Sequence, residues 1–146
     1  MTFENSKFPN SKIDPFLLTS PQTPIYNCIA WAFGSVDKWF WPDVAGTYFW
    51  PSDIPRTETL DSFIKLFEII GYKVCDNGDL EKDYQKIAIY ADGNGKPTHA
   101  ARQLRNGFWT SKLGQSFDVT HTIHSMSDGL YGNVAAFMKR QENQTT

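Results

Sequence analysis

A chain of 146 residues is long enough for one hydrophobic core and too short for two, so a single domain spanning 1–146 is expected. The formal charge is −2, and Lys and Arg stand singly or in pairs with no basic stripe, which argues against nucleic acid as a partner. The two cysteines give no disulfide framework, and no run reaches the roughly 18 apolar residues of a membrane span, so no membrane contact is expected.

Residues up to Pro24 are rich in Ser, Thr, Asn and Pro, with Met1 to Asp14 polar, and 1–20 read as an extended lead-in. They show no basic start followed by an apolar run, so the chain is expected to be cytoplasmic as synthesised, with delivery as an effector by a signal-independent route left open. Once Pro24 has passed, the apolar stretch Tyr26-Asn27-Cys28-Ile29-Ala30-Trp31-Ala32 predicts a helix that stops near Gly34, a residue suited to a left-handed C-cap. A long connection from Asp37 to Arg56 then carries Trp39, Phe40, Trp41, Tyr48, Phe49 and Trp50 among prolines; a loop of this length is usually functional.

Leu60, Phe63, Ile64, Leu66, Phe67 and Ile70 recur at three- and four-residue spacings, which predicts a second helix with Thr59 as N-cap, Asp61 in its first turn and Gly71 as its stop. Strands are predicted at Tyr72 to Cys75 and at Lys86 to Ala91, which leads into the turn Asp92-Gly93-Asn94-Gly95. A hairpin follows, from Thr98–Leu104 through Arg105-Asn106-Gly107 to Phe108–Leu113. Phe117 to Ile123 adds a strand, Leu130 to Arg140 reads as a short helix interrupted by Gly132, and 141–146 as a frayed tail. The fold class is α+β, with a cysteine-bearing helix packed on a mostly antiparallel sheet.

The chemistry suggested is that of a thiol nucleophile. The first N–H groups of a helix lack intrahelical acceptors, so a cysteine at that end is favoured as thiolate, and a histidine alongside would complete its activation. Cys28 and His99 fit these two roles. Order and content resemble the compact papain-like amidases of the NlpC and CHAP types over roughly Gln22 to His121. The motifs Asn27-Cys28-Ile29-Ala30-Trp31-Ala32, Thr98-His99-Ala100-Ala101-Arg102-Gln103 and Trp109-Thr110-Ser111-Lys112-Leu113-Gly114 are similar to those of a group of small bacterial proteins. The resemblance implies acyl transfer from a peptide, amide or peptidoglycan-type substrate, with Cys28 as nucleophile, His99 as acid and base, and Asp118 as the residue that orients the ring.

Gln103 and Ser111 compete with Asp118. Gln103 shares the face of His99 but stands about 13 Å along the strand. Ser111 faces His99 only if the hairpin loop has three residues. Gln22 stands six residues before Cys28, a spacing that supplies an oxyanion donor in papain, but the backbone N–H of Cys28 is the preferred donor. His121 and His124 with Asp118 offer metal-ligand types, yet residues three apart on a strand point to opposite faces, so neither a metal nor another cofactor is expected. Trp31, Trp41, Trp50 and Trp109 are the candidate binding residues, and on a different reading they, with Trp39, form a non-catalytic surface for a glycan or peptide. An acyltransferase or deamidase would use the same residues as a hydrolase.

Overall fold

The structure, a computed structural model, describes residues 17–20, 27–34, 38–112, 118–123 and 131–142. Its elements in chain order are β1 (Leu17–Ser20), α1 (Cys28–Phe33), α2 (Leu60–Glu68), β2 (Lys73–Cys75), β3 (Tyr84–Ala91), β4 (Pro97–Gln103), β5 (Trp109–Lys112), β6 (Asp118–His121) and β7 (Asn133–Gln141). Among the described residues the strands form one seven-stranded sheet in the order β1-β6-β5-β4-β3-β7-β2, and every ladder is antiparallel. The fold is therefore α+β. No helix among these residues is long and apolar enough to cross a membrane.

The sheet buries both faces, which is why the β3 run from Lys86 to Ala91 is buried throughout rather than alternating. On one face α1, α2 and the aromatic connection pack over Ile87, Ile89, Ala100 and Met138. On the other, Ala88, Tyr90, Ala101, Trp109 and Val119 form a second cluster with Tyr131, Val134 and Phe137.

Helix α2 follows its sequence pattern. Thr59 Oγ1 accepts the N–H of Ser62, Phe63, Leu66 and Phe67 are buried, and Gly71 takes a left-handed φ of 96° just past the helix. Thr59→Ala should cost about 1 kcal/mol, seen as a lower urea midpoint with an unchanged slope. An unchanged midpoint would mean that the cap contributes nothing.

The C-terminal segment is a correction. Residues 133–141 are not helical but form β7, which pairs with β3 from Tyr84↔Gln141 to Ala91↔Asn133 and with β2 on its other side. Ala136 opposes Ile89 while Val134 opposes Tyr90, so Ala135 is an extra residue, a β-bulge. The bulge breaks the alternation by which a strand is recognised, leaving an alanine-containing apolar run that suits a helix as well. Gly132, just before it, has φ 78° and lies so close to Ala91 that a Cβ would meet the carbonyl oxygen at 2.2 Å. The tail is ordered one step further than expected, since Gln141 is in the ladder and the Glu142 N–H donates to Asp83 O.

Candidate functional site

Helix α1 begins at Cys28, and the preceding residue, Asn27, fixes how it begins. The buried Asn27 side chain accepts the Ala30 N–H at 3.1 Å as an N-cap. The same oxygen accepts the Phe40 N–H at 3.0 Å, and Nδ2 donates to the Phe40 carbonyl at 2.6 Å. One amide therefore caps the helix and ties its mouth to the aromatic connection. That connection folds back on itself, with Trp41 N–H donating to Phe49 O and Phe49 N–H to Trp39 O. Arg56 closes it by donating to Asp43 and to the Tyr48 carbonyl.

These contacts leave a cavity of about 300 Å³ lined by Asn27, Cys28, Trp39, Trp41, Tyr48, Thr98 and Tyr131. Cys28 is 5% exposed at its floor. Cys75, on the edge strand β2, is more exposed, and its Sγ donates to Asn77 O.

His99 lies in β4. Its register partner is Tyr90, which belongs to the second cluster, whereas Cys28 belongs to the cluster on the helix face. The change of face happens at Thr98. His99 opposes Tyr90 and Pro97 opposes Ala91, so Thr98 is a bulged residue, and bulges re-aim side chains beside functional sites. Thr98 lines the cavity with Cys28, and its hydroxyl donates to the Tyr131 carbonyl. Tyr131 is the neighbour that both sides share, because it lines the cavity and stacks on the His99 ring at 4.1 Å with an interplanar angle of 3°.

His99 is fully buried. Its Nε2 lies 2.8 Å from Ser111 Oγ, which lies 2.6 Å from His121 Nε2, and His121 Nδ1 lies 2.7 Å from the Thr122 carbonyl. His99 Nδ1 has no hydrogen-bond partner, so His99 and Cys28 are not hydrogen-bonded to each other. Burial, and then the neighbouring His121, push the His99 pKa well below the ordinary histidine value, so the ring is neutral near pH 7. Burial, with Cys28 as a further neighbour, raises the Tyr131 phenol.

The hairpin explains why Ser111 meets His99. Leu104 N–H donates to Phe108 O, leaving a three-residue loop, Arg105-Asn106-Gly107, with Gly107 at φ 92°. Arg102↔Thr110 and Gln103↔Trp109 then place Ser111 across from Ala101, diagonal to His99 and on its face. Gln103 turns away and donates to Gly78 O. Asp118 pairs with Lys112 in the alternation opposite to that of Ser111 and His121, and its side chain lies outside the described residues, as do Gln22 and His124. Among the described residues no group of three or more His, Cys, Asp or Glu is placed to hold a metal ion.

Of the four tryptophans singled out in the sequence, Trp41 lines the cavity. Trp50 is 5% exposed and donates to Pro55 O, and Trp109 is 3% exposed on the far face, so both are core residues. Trp31 donates to Thr110 Oγ1 and lies under the Arg102 guanidinium. Residues that the sequence reading passed over are Asn27 as the cap, Thr98, and Tyr131. An asparagine directly before an apolar helix was a readable signal for the first, whereas Tyr131 had none.

A family model described as a domain of unknown function (DUF7689) matches residues 17–139. No curated protein and no solved structure matches the chain.

Proposed function

Starting from a chain that belongs to the family of domains of unknown function DUF7689, we propose a papain-like thiol-dependent hydrolase that cleaves an amide or peptide through Cys28 and His99. The observation that carries this reading is Cys28 at the floor of an aromatic cavity whose wall, Tyr131, stacks on a buried histidine with an unpartnered ring nitrogen. Cys28 Sγ attacks the substrate carbonyl as its proton passes to His99 Nδ1, and that proton then leaves on the departing amine. Water, deprotonated by the same nitrogen, releases the acid and restores the thiol. The backbone N–H of Cys28 is the oxyanion donor. A neutral imidazole suits this general-base route, and catalytic hydrogen bonds often tighten only in the substrate complex. Ser111, which hydrogen-bonds His99, takes the orienting role first assigned to Asp118.

The substrate class is a peptide, amide or peptidoglycan-type chain that puts a flat or apolar group against Trp39, Trp41 and Tyr48. Alkylation by iodoacetamide near neutral pH, followed by mass spectrometry, tests the reading. Cys28 is expected to react faster than the more exposed Cys75, and His99→Ala should remove that advantage. Equal rates, or a faster Cys75, would overturn it. They would favour the second reading, a non-catalytic aromatic pocket for a glycan or peptide, which the lack of a Cys28–His99 hydrogen bond supports.

A further inference from the structure

The three strands β4, β5 and β6 lie side by side and carry His99, Ser111 and His121 into one line of hydrogen bonds. Its polarity follows from its far end. The Thr122 carbonyl can only accept, so His121 Nδ1 must carry a proton. In a neutral His121, Nε2 is then a bare acceptor, and the Ser111 hydroxyl, lying 2.6 Å away, donates to it. With its one proton used, Ser111 Oγ can only accept from His99, so the His99 proton sits on Nε2. The reverse polarity would require His121 to donate from both nitrogens, as an imidazolium, and would leave a buried N–H on His99 Nδ1 with no acceptor.

We infer that Ser111 and His121 are positioning residues that fix His99 as its Nε2–H tautomer, leaving Nδ1 as the proton-accepting nitrogen. This deepens the hydrolase reading and rests on it for the use made of Nδ1, though the tautomer itself can be measured without any substrate. His121 thus acts two side chains away from the base, in the manner of a partner that sets which ring nitrogen is protonated. Ser111 alone could not do so, because a hydroxyl both donates and accepts. The second histidine makes the chain one-way.

The test is two-bond ¹H–¹⁵N correlation on the imidazoles of the intact chain at about pH 8, above the ordinary histidine range. Its three histidines are assigned by single His→Gln substitutions. The expected spectrum shows His99 protonated at Nε2 and bare at Nδ1, and His121 the opposite way round. In His121→Phe the Ser111 hydroxyl loses its acceptor and turns to His99 Nε2, so the His99 proton should move to Nδ1. Ser111→Ala should leave His99 a mixture of tautomers. A wild-type His99 protonated at Nδ1 overturns the inference, as does an unchanged His99 tautomer in His121→Phe. The wild-type spectrum decides even if that variant does not fold. Expected tautomers with no reactivity advantage at Cys28 would keep the chain and sink the hydrolase, whereas a reactive Cys28 beside an Nδ1–H His99 would do the reverse.

Discussion

Asn27→Ala is expected to destabilise the protein by about 3–7 kcal/mol, more than the removal of an ordinary helix cap. The side chain is buried and makes three hydrogen bonds, one to the Ala30 N–H and two to the backbone of Phe40. Losing the cap costs about 1 kcal/mol, and orphaning a buried donor and a buried acceptor on Phe40 adds roughly 1–3 kcal/mol each. Two further substitutions separate these contributions. Asn27→Ser can still accept from Ala30 but cannot span to Phe40, so it should recover only the cap. Asn27→Asp keeps both acceptor contacts yet sets an oxygen 2.6 Å from the Phe40 carbonyl and buries a charge, and it should fare no better than Ala. Urea unfolding gives the order directly, and an Asn27→Ala loss of 1 kcal/mol or less would refute the bridging role. Because Phe40 stands between Trp39 and Trp41, the same substitution should also loosen the cavity wall and lower Cys28 alkylation selectivity.

What the sequence made legible is what local patterning controls. The period of α2 and its Thr59 cap could be read because a helix of nine residues repeats its signal, and Gly34 and Gly71 could be read because left-handed ends favour glycine. The β4–β5 hairpin was legible as a hairpin but not in register. A loop of two or three residues is compatible with Arg105-Asn106-Gly107, and only the Leu104–Phe108 hydrogen bond selects three. That choice decides whether Ser111 meets His99, so the partner of the histidine was hidden behind a single residue of loop length. Two bulges hid the rest. The extra Ala135 disguised β7 as a helix, and the extra Thr98 put His99 and the cavity lining on opposite sides of the strand alternation. Tryptophan carried no label for exposure either. Trp50 and Trp109 fill cores while Trp41 faces the cavity, a difference set by tertiary packing alone. His121 was read as a ligand type beside His124; the structure instead turns it to Ser111, a contact between strands that no local spacing encodes.

Acidification should reveal His99 in the stability of the fold. Its native pKa is depressed, by burial first and by His121 second, below the value near 6.5 expected in the unfolded chain. Between those two values the unfolded state binds a proton that the native state does not, so stability falls as pH is lowered through 6.5 and is flat with respect to this group above it. The slope is at most about 1.4 kcal/mol per pH unit for one proton, and it persists until the pH falls to the depressed native value. The carboxyls of Asp43 and Glu81 are held below their ordinary values, so the stability they contribute is lost only at lower pH. Comparing urea unfolding of the wild type and His99→Gln at the same pH values isolates the titration of His99 together with its coupling to His121. The difference between the two curves should shrink steadily as pH falls through the window. Parallel curves would mean that His99 takes up its proton in the folded state as readily as in the unfolded one, and a ring that does so cannot be a neutral base at the bottom of a closed core.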